Sequence, residues 1–380
     1  MHPLIHVFHN ETPAGVFELN AVKNEGRFEW LPSFEREYKP FTDAFPKLLG
    51  KRYYAFDPKT SLPDAFTDFK PGQFAERLLD SVLNVKHTDF VQRSAFAWLS
   101  LTGSRGLSAF RFEPFGLPEL DVVEPVDIDA LTASTKTILQ GGTTLLSEKK
   151  RRELLRCGLF TRGLSPKILL SINDFNGEVF SGQGDHAGNR VGWILKFDGT
   201  HSDATTRIRA EYSLYKLAVD CGIDATPCRQ LKDGELNHLL VKRFDRVHNE
   251  KKSFVSYCSW QQNSGNHWDG VFRTMRQLRL PYPDMEEMYR RLTFYALTGN
   301  HSVGISRICF TYTNVSGWRL APAFNFKPSS PLYEPCIGTL NEKGLAFTKE
   351  NILAFGKYLN IRKAAQIYQS IEGTIATPRP

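Results

Sequence analysis

At 380 residues, 41% hydrophobic and 23% charged, the chain has the composition of a soluble globular protein with room for a large core and two or three domains. No apolar run reaches the roughly 18 residues of a membrane span, and the opening MHPLIHVFHNETPAG has neither the basic nor the apolar region of a secretory signal, so a cytoplasmic protein with six reduced cysteines is expected. A net charge of +7 suits an anionic partner such as nucleic acid or a nucleotide, and suits equally an inert solvated surface.

Up to about residue 35, apolar and polar side chains alternate in IHVFHN, GVFELN and GRFEWL, which predicts short strands joined by turns. Residues 38–75, rich in Pro, Phe, Asp and Lys, are expected to wrap as loops. FAERLLDSVLN (74–84) and TDFVQRSAFAWLSL (88–101) have helical spacing, and GLSAFRFEP (106–114) reads as a strand. A connecting segment over 118–150 holds a helix, IDALTASTKTILQGG, that ends on paired glycines. A soft domain boundary is expected between 125 and 155, beside a basic run of Lys149, Lys150, Arg151, Arg152 and Arg156 on a helix face or loop.

From about residue 164 the pattern changes. PKILLSIND is a strand, NGEVFSGQGDHAGNRV a polar Gly-rich turn, and GWILKFDG a second strand. RIRAEYSLYKLAVDCGI is an amphipathic helix with Gly222 suited to the C′ position, and a hairpin follows around Asp233-Gly234. Helices are expected over 283–298, in TKENILAFGKYLN with half a capping box from Thr348 and Asn351, and in RKAAQIYQSIEG. This order builds a small antiparallel sheet with one helix packed on it, then a mainly helical half, and a cleft between such halves is a natural ligand site.

Few residues stand out chemically. Lys196 near a strand end and Glu211 on the next helix suit an ion pair that orients a lysine on phosphates, and suit equally an ordinary surface pair. SGQGDHAG misses the G-x-G-x-x-G spacing by one residue and fits a hairpin tip. In GLSPK, Gly163 and Lys167 offer a backbone N–H and a charge to phosphate. Cys221 and Cys228 have no second ligand pair, His2, His6 and His9 lie on a strand where their spacing does not converge, and the GSRG stretch from Gly103 is no nucleophile elbow, so no metal site and no hydrolase is predicted. His186, His201, His248, His267 and His301 are expected to be solvated loop residues. Between Leu297 and Phe326 there is no Asp and no Glu.

Taken together, GLSPK, WILKF, AEYSLYKLAVDCGI, VKRFDR, MEEMYRRLTFYALTGN and GWRLAPAFNFKPSSP resemble, in order, the segments of the HipA family of serine/threonine kinase-like toxins from toxin–antitoxin operons. The resemblance implies an α+β, protein-kinase-like fold. Residues 1–150 would form a β-rich N-terminal subdomain with its connecting segment, and 151–380 the kinase-like domain, divided into a small lobe of about 151–250 and a helical lobe of about 251–380. It also implies nucleotide-binding roles for Gly163, Lys167, Lys196, Glu211 and, in the hinge, Lys242, Phe244 and Asp245.

The catalytic positions depart from the family. Ser302 stands at the general base, Arg307 at the metal-binding Asn and Asn325 at the metal-binding Asp, while Phe160 and Arg162 stand in an altered phosphate loop. Losing the base costs roughly 10²–10⁴-fold, and losing both metal positions removes the clamp on the transferred phosphoryl group. The expected protein is therefore a pseudokinase whose cleft is empty or holds ATP without Mg²⁺. It would act with a small helix-turn-helix, antitoxin-like partner and associate with DNA through it. The alternatives are an active kinase in which Asp185, Asp198, Asp203 or Asp245 substitutes, and a non-enzymatic DNA-associated regulator, although the chain has no DNA-reading motif of its own.

Overall fold

The structure, a computed structural model, describes residues 4–20, 23, 25–50, 54–57, 62–82, 95–114, 120, 122–142, 145–157, 166–182, 189–199, 204–247, 250–260, 267–299, 305–326 and 339–377. Two compact units interleave along the chain: Met1–Thr205 with Arg229–Phe254, and Thr206–Cys228 with Val255–Pro380.

In the first unit, β1 (Leu4–His9), β2 (Thr12–Asn20) and β3 (Glu25–Trp30) form the antiparallel strands that the alternation predicts. With β4 (Tyr54–Phe56) and β5 (Phe110–Glu113) the sheet runs β4-β3-β2-β1-β5. Its inner face is aromatic. Phe17 faces Phe28 across the strands, and Phe66 lies 5.1 Å from the Phe17 ring, 4.9 Å from Phe28 and 5.1 Å from Phe110. Gly26 is required there, because a Cβ would come within 2.5 Å of the Phe56 ring.

The expected loops over 38–75 are instead partly ordered. Helices α1 (Pro32–Glu37) and α2 (Lys39–Thr42), β4 and a 3₁₀ turn over Asp64–Phe69 occupy this region. Phe34, Tyr38, Phe41 and Phe45 follow helical spacing and all are buried; the prolines and charges between them hide that period. GLSAFRFEP is strand only from Phe110, because Ser108 adopts a left-handed φ of 74°.

The second sheet has the order β7-β6-β8-β10-β9, from β6 (Lys167–Asn173), β7 (Val179–Ser181), β8 (Arg190–Lys196), β9 (Cys228–Asp233) and β10 (Leu236–Lys242). β7 falls inside the stretch read as a polar turn, whose residues 183–188 lie outside the described ones. Ile168, Leu170, Ile172, Trp193, Leu195 and Leu240 share one buried cluster with residues of α3 (Gln73–Val82), α5 (Ile128–Leu139) and α6 (Glu148–Arg156). Helix α4 (Ala95–Thr102) packs against β5 and β1, and α6 carries the basic run.

A buried carboxylate joins the two sheets. Asp245 accepts hydrogen bonds from Arg243 Nε at 3.0 Å, Arg243 Nη2 at 2.7 Å, Arg246 Nη1 at 2.6 Å and the Ser108 N–H at 2.8 Å. The arginines reach on to the Gly106 and Ser108 carbonyls. The turn at 106–108 is thereby tied to the chain after β10, where β11 (Arg246–Val247) pairs with β12 (Glu250–Lys251). Burial alone would raise the Asp245 carboxyl, but the two arginines outweigh it and hold the group well below the usual carboxylate range.

The second unit takes in most of α7 (Ala204–Asp220), which ends at Gly222 with φ 75° as predicted. β13 (Ser253–Ser256) leads through α8 (Tyr257–Trp260) to α9 (Trp268–Gln277) and α10 (Tyr282–Leu297). The hairpin of β14 (Cys309–Thr313) and β15 (Gly317–Leu320) follows, then α11 (Lys349–Tyr358) and α12 (Ala364–Ala376). Thr348 caps α11 by accepting the Asn351 N–H at 3.2 Å. Gly356 lets α11 close on α10 and α12, since a Cβ would lie 2.6 Å from Ala364 Cβ and 2.8 Å from the Tyr289 ring. Helix α9 was not expected. His267, read as a solvated loop residue, is buried and caps it through Nδ1, which accepts the Gly270 N–H at 3.1 Å.

Two predictions follow from the buried ionisable groups. His9 is enclosed by Phe34, Tyr38, Phe41 and Phe110 and lies 2.5 Å from Ser253 Oγ. Burial pushes its imidazole down from 6.5 to about 4. The unfolded chain therefore takes up a proton that the native state refuses, and stability falls by about 3 kcal/mol as pH drops from 6.5 to about 4. Urea melts of His9→Phe are expected to lose that slope. Asp245 works in a lower window: its contribution is complete above the ordinary carboxylate value of about 4 and is lost as pH falls further. Asp245→Asn strands two buried guanidinium groups and is expected to cost about 3–5 kcal/mol in the same melts at neutral pH.

Candidate functional site

The register of the second sheet places two of the predicted lysines together in the first unit. Lys167 opens β6, Lys196 closes β8, and the two are direct cross-strand partners. Directly opposed residues point to the same face, and like charges there repel. Lys196 is buried and Lys167 half-buried. Their face is the one carrying Leu169, Ile194, Leu239 and Val241, opposite the helix-covered cluster. The two ammonium-bearing side chains thus share one apolar face of the sheet.

The other residues predicted for this region are spread out. Lys242 pairs with Trp193 and so stands on the opposite face from Lys196. Phe244 is half-buried, with its ring 5.6 Å from Phe254, and Asp245 is committed to the two arginines. Gly163, Phe160 and Arg162 lie outside the described residues. Asp198, one of the acids weighed as a substitute base, is buried and accepts the Gly199 N–H at 2.6 Å and the Asn237 N–H at 2.9 Å. Asp185 and Asp203 are outside the described residues.

The second unit holds Glu211, Arg307 and Asn325. Glu211 is buried on α7. Arg307 ends a 3₁₀ turn over Ile305–Arg307 just before β14. Burial lowers its guanidinium, and Glu211, followed by Tyr295, most strongly opposes that shift. Burial likewise pushes the Tyr295 phenol up to about 12. The Arg307 cation thus lies within electrostatic reach of the Glu211 carboxylate. Ser302, which the resemblance aligns with a general base, lies outside the described residues.

Asn325 has a left-handed φ of 66°, a conformation that Asn and Asp tolerate better than most residues. The segment before it is anchored by polar residues on α10 that sequence reasoning missed. Asp284 accepts from Arg319 Nε at 2.9 Å, Arg319 Nη2 at 2.8 Å and the Leu320 N–H at 2.8 Å. Arg291 donates to Glu287 at 2.7 Å, the Ala321 carbonyl at 2.9 Å and the Asp224 carbonyl at 3.1 Å. Asp224 O in turn accepts the Ala323 N–H at 2.7 Å. Phe326 is buried, 5.0 Å from Tyr215 and 6.0 Å from Phe294. The available signal was charge at positions 284, 287 and 291, on the otherwise apolar face of a helix.

The donor set does not fit Mg²⁺, which takes hard and preferably anionic oxygens. Arg307 is cationic and Asn325 a neutral amide. Among the described residues no group of three or more His, Cys, Asp or Glu side chains can hold a metal ion, and no helix is long and apolar enough to cross a membrane.

The solved HipA of Shewanella oneidensis MR-1, described as the toxin–antitoxin system HipA, HipB and its operator DNA complex, has a similar fold at 16% identity and a TM-score of 0.60, covering 99% of this chain and 92% of that one. No curated protein sequence matches. The family model described as HipA-like C-terminal domain matches residues 160–377. The chain, with its mixed α+β fold, belongs to the HipA family.

Proposed function

We propose that this protein is a phosphotransfer-silent member of a toxin–antitoxin type system that acts by binding a partner rather than by modifying a substrate. The observation that carries this reading is the replacement of the base and both metal positions by Ser302, Arg307 and Asn325. The scaffold around Asn325 is kept intact by Asp284 and Arg291. Selection for chemistry would keep the carboxylates; selection for a binding surface needs only the scaffold.

Residues 151–380 form the kinase-like module, with a small lobe of about 151–250 and a helical lobe of about 251–380, behind an N-terminal part over 1–150. Its ligand is ATP held without Mg²⁺. The face that Lys167 and Lys196 share supports this, because ammonium groups brought together by the strand register can both donate to phosphate oxygens. The partner is a small helix-turn-helix, antitoxin-like protein in the cytoplasm, and DNA is approached together with it. The Shewanella assembly of HipA, HipB and operator DNA supports that partnership.

The test joins two assays on the purified chain. At about ten times its Kd, ATP is expected to stabilise the protein by about 1.4 kcal/mol, equally with and without Mg²⁺. Lys196→Met is expected to remove the thermal shift. Labelled ATP with Mg²⁺ is expected to leave both the chain and added protein unlabelled. Mg²⁺-dependent transfer at the roughly 1–100 per second usual for kinases would sink the reading.

A further inference from the structure

The second unit holds a cavity of about 450 Å³ bounded by α9, α11 and the turn at 339–345. Part of its lining is apolar. Phe355 is buried on α11 with its ring 5.9 Å from Phe272, and Tyr358 stacks beside it at 5.9 Å with an interplanar angle of 26°. Leu345 and Ala354 line the same cavity. Tyr358 stays 62% exposed, so an aromatic ring is left largely in solvent beside a recess. Covering such a ring is favoured by the same apolar burial that builds the core.

The polar part of the lining carries both signs. Arg273 donates to Asp269 at 2.8 Å and to Glu342 Oε1 at 3.2 Å. Asp269 is buried and committed to that arginine, whereas the Glu342 side chain is 63% exposed. His267 Nε2 also approaches Glu342 through Oε1, at 3.7 Å, which leaves Oε2 to a ligand. Lys343 follows, exposed and with no ion-pair partner among the described residues. Both side chains stand on a turn whose backbone is fixed. Asn341 Oδ1 accepts the N–H groups of Lys343 at 3.1 Å and Leu345 at 3.2 Å, and Gly344 takes a left-handed φ of 78°. The Asp269 N–H donates to the Leu340 carbonyl at 3.0 Å and holds the turn against the start of α9. The cavity therefore offers one accessible carboxylate and one accessible ammonium beside an aromatic wall.

We infer that this cavity binds a free α-amino acid with an aromatic side chain. Such a ligand carries an ammonium and a carboxylate on one carbon, which suit Glu342 and Lys343, and a flat apolar side chain that suits Phe355 and Tyr358. A ligand of single charge meets a like charge at one of the two adjacent residues. A peptide terminus has only one of the two charges and satisfies half of the site. The volume lies within the range of small-molecule sites. These residues belong to the second unit and the lysine pair of β6 and β8 to the first, so the inference does not rest on ATP binding.

The test is calorimetric titration of the full chain with L-phenylalanine and three relatives. L-Phenylalanine is expected to saturate the protein with a Kd of about 1 mM or below. N-acetyl-L-phenylalanine, which lacks the ammonium, and L-phenylalaninamide, which lacks the carboxylate, are each expected to bind about tenfold more weakly, and glycine not measurably. Glu342→Gln is expected to bind L-phenylalanine and its N-acetyl derivative alike, and Lys343→Gln to bind L-phenylalanine and its amide alike. Tyr358→Ser is expected to weaken the whole series. All three positions are exposed, and melting temperatures within about 2 °C of wild type separate lost binding from unfolding. No saturable heat with L-phenylalanine up to about 10 mM, or equal binding of the three aromatic probes, overturns the inference. Unchanged discrimination in both glutamine variants overturns it as well, by placing the ligand elsewhere. Stabilisation by ATP is expected to be the same in these variants as in wild type, so this inference and the silent-kinase reading fail separately.

Discussion

The first unit depends on one buried charge. Asp245 sits between two arginines and a backbone N–H contributed from residue 108, far away in the chain. Hydrophobic contact alone sets no direction between two sheets, whereas a carboxylate with four donors at hydrogen-bond distance accepts few alternative arrangements. The aromatic core around Phe66 and the aliphatic core around Leu195 supply the driving force, and Asp245 supplies the registration.

A comparable device works in the second unit. Asp284 and Arg291, on α10, hydrogen-bond to backbone groups of Leu320 and Ala321 in the segment that ends at Asn325, and Glu287 in turn accepts from Arg291. They fix the backbone that leads to Asn325 without using the side chain at that position. The fold is thus held there by residues other than Arg307 and Asn325, so it does not depend on which side chains stand at those two positions.

How much was legible in the sequence follows from how local each signal is. Alternation in IHVFHN and GRFEWL, the period of α10 and the cap at Thr348 are local patterns, and the structure has them. Helices near Phe34 to Phe45 have a local period as well, but Pro and charged neighbours obscure it. His267 as a cap was missed because histidine is an uncommon one. The meeting of Lys167 and Lys196 depends on strand register, and the grip of Asp245 on Ser108 spans 137 positions; neither has a local signature. Family resemblance singled out Lys196 and Asp245 without indicating that the first faces another lysine or that the second is enclosed by arginines.

The left-handed backbone at Asn325 has an evolutionary side. Asparagine and aspartate share both tolerance of that conformation and nearly the same shape. Their codons differ by one base. An acidic side chain could therefore occupy position 325 after a single transition without any rebuilding of the backbone, whereas at position 307 a cation already lies within electrostatic reach of Glu211.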